Sequence, residues 1–182
     1  MILGITGSFG AGKGAVVDYL VQEKGFVHFA ARTFLIEEIQ KRELPVNRDT
    51  MASIANELRA EHGPTYVMEE LLKEAEASGK DAVIESLRAK AEVAYIQQEG
   101  GIVLGVDATP EIRFARVIKR ASETDHVTYE KWVEQEKKEM NPSDPNKQDI
   151  FGALKLSDVI IENDGTIEEL YQKIDEFLEP FI

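Results

Sequence analysis

Residues 4–17 read GITGSFGAGKGAVV, and this stretch decides the fold. The run before it, ILGIT at 2–6, is short, apolar and ends in glycine, as a buried parallel strand does. After Lys13 the apolar residues fall at Val16, Val17, Leu20 and Val21, which is helical spacing. Between the two, Gly7, Gly12 and Lys13 satisfy G-x-x-x-x-G-K in the strand-to-helix context the pattern requires. Glycines let backbone N–H groups turn inward around a phosphate. The helix N-terminus adds partial positive charge, and Lys13 adds a full charge for the β- and γ-phosphates of a nucleotide. The segment predicts a phosphate cradle made of Gly7, Ser8, Phe9, Gly10, Ala11, Gly12, Lys13, Gly14 and Ala15.

Two overlapping patterns are rejected by context. Gly10, Gly12 and Ala15 fit the dinucleotide fingerprint G-x-G-x-x-A, but that motif needs an acid near residue 30 for the ribose. The chain has Ala30 and Ala31 there, and the fingerprint gives no reason for Lys13. NKQD at 146–149 matches a guanine-reading N-K-x-D, yet it follows MNPSDP, a loop, rather than a buried strand.

Working outward, GFVHFA (25–30), DAVIES (81–86), GIVLGVD (101–107) and SDVIIEN (157–163) read as further strands. Helical spacing appears at Leu35, Ile36 and Ile39, at Met51, Ile54, Ala55 and Leu58, and from Val67 to Ala75. Gly63-Pro64 and Gly79 close the last two. Pro110 suits a first helical turn, and Thr166 with Glu169 forms a capping-box pattern before a final helix. Strands alternate with helices, which predicts an α/β fold: a five-stranded parallel sheet with helices on both faces. Ligands in such sheets bind at the carboxyl ends of the strands. The chain reads as a single domain, 1–182, with no internal repeat or linker.

Composition narrows the partners. A net charge of −13 argues against a nucleic-acid partner, since phosphate backbones need cationic surfaces. It makes any local cluster of arginines informative. There are no cysteines, which removes disulfides and thiolate metal sites and fits a reducing compartment. No apolar run approaches the ~20 residues of a membrane span. The N-terminus has no basic region or long apolar core, so the expected location is the cytoplasm.

GSFGAGKG resembles the loop of adenylate kinase and its nucleoside monophosphate kinase relatives, G-x-P-G-x-G-K-G-T. Gly7, Gly10, Gly12, Lys13 and Gly14 match it, while Phe9 stands in place of Pro and Ala15 in place of Thr. VDATPEIRFARVIKR and VIIENDGTIEEL are more similar to dephospho-coenzyme A kinases and uncharacterised relatives with the same layout. The resemblance implies a three-layer P-loop kinase fold with a small helical lid at about 120–146 and an acceptor-binding helical region at about 32–79. It implies transfer of the γ-phosphoryl of ATP, with Mg²⁺, to a small phosphorylated, nucleotide-like acceptor. Two other readings stay open: a dephospho-coenzyme A kinase, and a nucleotide-binding regulatory protein with weak catalysis.

The strand ends supply the remaining candidates. Glu85 ends the third strand, where an acid beside a phosphate loop orients magnesium through water. Arg88 follows it, and by resemblance such an arginine grips acceptor phosphate. Arg113, Arg116 and Arg120 share one helix face. The resembling kinases use arginines at the base of the lid to neutralise the transferring phosphoryl group, which gives Arg116 and Arg120 catalytic roles beside Lys13. The same kinases place residues matching Asn163 and Gly165 against adenine. Dephospho-coenzyme A kinases carry an acid after the second strand; this chain offers Arg32 there, which could hold acceptor phosphate. A phosphate acceptor is already anionic and needs no strong base, so the missing acid favours it over a hydroxyl acceptor. Ala15 lacks a hydroxyl whose bond to a charged phosphate is worth ~1.5–3 kcal/mol. Ser8 and Thr6 are the nearby replacements.

Overall fold

The structure is a computed structural model that describes residues 1–120, 128–140, 143–144 and 147–181. In chain order its elements are β1 (Ile2–Gly7), α1 (Lys13–Lys24), β2 (Val27–Ala30), α2 (Ala31–Lys41), α3 (Arg48–His62), α4 (Tyr66–Ser78) and β3 (Ala82–Leu87). There follow α5 (Lys90–Gln98), β4 (Ile102–Asp107), α6 (Pro110–Arg120), α7 (Tyr129–Lys138), α8 (Ile150–Leu156), β5 (Val159–Glu162) and α9 (Ile167–Leu178). The strands pair in parallel in the order β2-β3-β1-β4-β5. β1 lies at the centre between β3 and β4, so the crevice at its carboxyl end is where such a sheet places a ligand.

Strand alternation divides the core into two layers. Leu3, Ile5, Val83, Leu104 and Val106 face α1 and α9, meeting Val16, Val17, Leu20, Leu170, Ile174 and Leu178. Ala82, Ile84, Leu87 and Val103 face the other way, onto Leu71 and Ala75 of α4 and Val93 and Ile96 of α5. Ile54 and Leu58 of α3 and Ala153 of α8 complete that second layer. The expected five-stranded parallel sheet with helices on both faces is therefore what forms.

The elements differ from the sequence reading in detail, for local reasons. β2 starts at Val27 because Gly25, at φ 75°, ends α1 in the left-handed conformation and donates to Leu20 O. β5 starts at Val159 because Asp158 turns its carboxylate to the Val103 N–H at 2.7 Å. Two short helices, α5 and α8, carry too few apolar residues to show a period. The capping box of Thr166 and Glu169 is present at α9.

One buried ion pair joins the helices on the second face to the sheet. Arg59 of α3 donates through Nη2 to Glu92 Oε1 of α5 at 3.1 Å, with 7% and 1% of the two side chains exposed. Glu92 Oε2 accepts from the Arg88 and Ala89 N–H groups at 2.7 and 3.2 Å, fixing the turn after β3. Removing one partner strands the other's charge in the core. Arg59→Met is expected to lower unfolding stability by about 3–5 kcal/mol, and Arg59→Met with Glu92→Gln to recover much of that, as read by urea denaturation.

Candidate functional site

The loop after β1 owes its shape to glycine. Gly7, Gly10 and Gly12 have φ of 152°, 86° and 102°. A Cβ on Gly7 would strike the Val106 carbonyl oxygen of β4, and one on Gly10 the Arg113 carbonyl oxygen of α6. A Cβ on Gly12 would strike the side-chain amide of Asn163. At Gly14, by contrast, a Cβ would meet nothing within 4 Å, so the protein itself leaves room there. Lys13 folds back over the loop and donates to Gly7 O at 2.7 Å and Ser8 O at 3.0 Å.

The chemistry around this lysine is set by charge. Burial lowers the Lys13 pKa to about 8, and Arg88 adds to the shift, while Glu85, Glu139 and Asp107 oppose it. Glu85 reaches the site by regular alternation, paired with Ile5 of β1, and β3 bulges just after it. The register slips between Ile5 and Thr6, Ser86 adopts φ 77°, and Thr6 faces Leu87 instead. A hydrogen bond with His28 Nε2 at 3.0 Å holds the Glu85 carboxyl below its ordinary range, against its own partial burial. Glu85 is thus ionised beside Lys13, as an acid that orients metal-bound water must be.

Arg88 and Arg116 also reach this crevice. Arg88 is 41% exposed on its side chain and pairs with Glu139 at 3.7 Å. Arg116 donates to Asn163 O at 2.8 Å and to Ala11 O at 3.4 Å. The Arg120 side chain lies outside the described residues, as do residues 121–127, 141–142 and 145–146 of the expected lid. Arg32 opens α2 as an exposed side chain.

Asn163, Gly165 and Arg113 each have a defined setting around the loop. Asn163 is buried, and its amide donates to Ala11 O at 2.8 Å, so it braces the loop from behind. Gly165 lies against the Glu169 carboxylate of the α9 capping box. Arg113 shares its helix face with Arg116, yet only 3% of it is exposed. It donates to Ala108 O at 2.9 Å and Phe9 O at 3.4 Å, pairs with Glu136 and Asp107, and stacks on Trp132 with its centre 4.9 Å from the ring. Its donors are committed to tying α7 and the loop together.

Of the two hydroxyls near Ala15, Thr6 is committed to Leu87 O at 2.7 Å. Ser8 Oγ is buried without a hydrogen-bond partner among the described residues. Ser8 and Phe9 line a small pocket with Glu136, Glu139, Ile150 and Phe151.

Sequence reasoning passed over His28, Glu92, Glu136, Glu139 and Asp149. Arg88 and Glu92 sit four apart, and that spacing could have suggested a turn held by its own helix. His28, Glu136 and Glu139 act across the fold and leave no local signal, whereas Asp149 three residues before Gly152 could have been read as a helix N-cap. Asp149, the last letter of NKQD, caps α8 through Gly152 N at 3.2 Å, and its own N–H donates to Arg88 O at 2.8 Å.

A strand, a glycine loop closed by lysine, and a helix at the centre of a parallel sheet define a P-loop, kinase-like α/β protein. A family model described as an AAA domain (AAA_18) matches residues 3–141, and the chain belongs to that family. It is 28% identical over 187 residues to the UPF0200 protein MJ1399 of Methanocaldococcus jannaschii, covering 100% of this chain and 91% of that one. It is 27% identical over 189 residues to a UPF0200 protein of Thermococcus gammatolerans, covering 100% and 96%. Among solved structures, TT1252 from Thermus thermophilus superposes with a TM-score of 0.66 at 20% identity, covering 100% of this chain and 98% of that one. Shikimate kinase from Bacteroides thetaiotaomicron superposes with a TM-score of 0.62 at 15% identity, covering 98% of each.

The lowered Lys13 pKa has two opposite consequences. A bound phosphate favours the charged ammonium, so affinity for a nucleotide is expected to be flat below about pH 7 and to fall as pH rises through about 8. The free fold behaves in reverse. Between about 8 and the ordinary 10.5 the unfolded chain binds more protons, so stability rises with pH there. Calorimetric nucleotide titrations at several pH values check the first, and thermal melts without nucleotide check the second.

Proposed function

We propose that the protein is an ATP- and Mg²⁺-dependent phosphotransferase that moves the γ-phosphoryl group to a small phosphorylated, nucleotide-like acceptor. The observation that carries this reading is the convergence, at the carboxyl ends of β1 and β3, of the Lys13 loop, an ionised Glu85 and the exposed Arg88. Loop amides and Lys13 would hold the β- and γ-phosphates of the donor. Glu85 would hold Mg²⁺ through water, and the ion would supply charge neutralisation on the phosphates.

In the transfer, an acceptor phosphate oxygen bonds to the γ-phosphorus as the bond to the β-bridging oxygen breaks, and ADP leaves. The acceptor oxygen is already anionic, so no side chain need take a proton. Arg88, with Arg32 in the first turn of α2, would grip the acceptor phosphate. Arg116 and Arg120 would neutralise charge spreading over the transferring group. Arg116 already lies beside the loop, donating to Ala11 O and Asn163 O. Adenine would lie near the turn at Asn163 and Gly165. No helix among the described residues is long and apolar enough to cross a membrane; action in the cytoplasm is part of the proposal.

The test is a coupled assay of ADP formation from ATP and Mg²⁺ with a panel of nucleoside monophosphates and dephospho-coenzyme A. Acceptor-dependent ADP formation that is lost in Lys13→Ala is the expected result. Nucleotide binding without acceptor-dependent turnover would favour a regulatory role instead, and no ATP binding would end the proposal. Arg116→Ala is expected to lower turnover by more than it lowers ATP affinity, since its contact is made mainly as charge develops. Equal losses in both would place it in ground-state binding.

A further inference from the structure

Arg88 is the cation best placed for an acceptor, and it is not simply waiting in solvent. Its partner is Glu139, the residue that caps the C-terminus of α7, 3.7 Å away with 18% of its side chain exposed. The contact is built by the backbone. Asp149 N donates to Arg88 O at 2.8 Å, and the next amide, Ile150 N, donates to Glu139 O at 3.1 Å. Two consecutive amides at the start of α8 therefore hold the arginine and the glutamate on either side of them. The Arg88 amide is fixed from the other direction by Glu92. The last carbonyls of α7 add partial negative charge beside Glu139. α7 itself is anchored over the loop by the Glu136–Arg113 pair and by Trp132, which is buried.

We propose that Glu139 is a specificity-determining counter-ion: it keeps Arg88 paired in the free protein and so reserves this arm of the site for phosphomonoester dianions. This inference rests on the acceptor role of Arg88 given above. A neutral hydroxylic ligand offers the guanidinium nothing to compensate for the loss of a carboxylate. A carboxylate ligand exchanges one charge for one and gains little. A phosphomonoester brings nearly two charges and three acceptor oxygens, enough to displace Glu139 with two parallel bonds to the guanidinium. The existing pair is long and half-exposed, so the exchange opposes ligand only weakly. Glu139 also lines the pocket that contains Ser8 and Phe9, so the carboxylate sits at the border between the donor loop and the acceptor arginine. In that position it repels any anion too weakly charged to replace it.

The experiment uses the full chain with the donor loop saturated by ADP and Mg²⁺, at constant ionic strength. Methyl phosphate, a phosphomonoester with no base or sugar, is the probe, and acetate is the competitor class. Binding is read directly by isothermal titration calorimetry. Glu139→Gln is expected to tighten methyl phosphate binding about three- to fivefold and to narrow the preference for it over acetate. Glu134→Gln, which removes the same charge from an exposed position on α7, is expected to change affinity by less than about twofold. In Arg88→Gln/Glu139→Gln the gain should vanish.

Equal affinities in wild type and Glu139→Gln would overturn the inference. So would an equal gain in Glu134→Gln, or a gain that survives the loss of Arg88. Circular dichroism of each variant confirms that it is folded; if Glu139→Gln is not, Glu139→Asp, which draws the carboxylate back, is expected to give a smaller gain in the same direction, and no gain overturns the inference. ADP binding without methyl phosphate binding in any variant defeats the inference alone. Absence of ADP binding defeats the phosphotransferase reading instead.

Discussion

Three glycines let the phosphate loop lie closer to its neighbours than any side chain would permit. Gly7 backs onto a carbonyl of β4, Gly10 onto a carbonyl of α6, and Gly12 onto the amide of Asn163 after β5. The loop is thereby seated on three separate elements, and its curvature is set by the body of the protein before any phosphate arrives. Much else depends on that seating. Arg113 is buried because its backbone carbonyl is one of the contacts and its side chain grips Phe9 O on the loop. Asn163 is held because it is another, and Arg116 comes to the loop through the Asn163 carbonyl. A phosphate loop assembled this way needs little reorganisation on binding, which is where preformed cradles gain over flexible ones.

Electrostatics around that seat reconcile a phosphate site with a chain of net charge −13. The cations are not gathered into a bare positive patch. Lys13 lies among Glu85, Glu139 and Asp107, Arg113 among Glu136 and Asp107, and Arg59 against Glu92. Such pairing spares the empty protein the repulsion of clustered positive charge. It also means that an incoming anion enters by exchanging partners with carboxylates, rather than by falling into an open positive well.

The parts of this arrangement that were legible in the sequence are those in which neighbouring residues cooperate. GITGSFGAGKG announces strand, loop and helix together, and alternating apolar runs announce the parallel sheet. Glu85 and Arg88 could be placed because they follow a strand whose direction was already fixed. What stayed hidden depends on distant partners. Nothing near Arg113 tells that Glu136 and Trp132 will cover it, so its face read like that of Arg116. Asn163 follows a strand end, as expected, but its amide turns to Ala11, a contact across 152 positions. The helices α5 and α8 escaped notice because each buries only about one turn of apolar residues, too few for a period to emerge. The surroundings of Arg88 were least legible, since its partner Glu139 lies 51 positions away across the fold.

The pair of Arg59 and Glu92 carries a consequence for how the family descends. Thirty-three positions apart, they share one buried bond, and Glu92 in turn holds the amide of Arg88. A lineage that alters either residue alone passes through a protein with an unpaired charge in its interior. Drift at these two sites is therefore expected to be concerted. In an alignment of relatives they should behave as one inherited character, present or replaced together, and lineages that replace it are the ones in which the turn bearing Arg88 has been rebuilt.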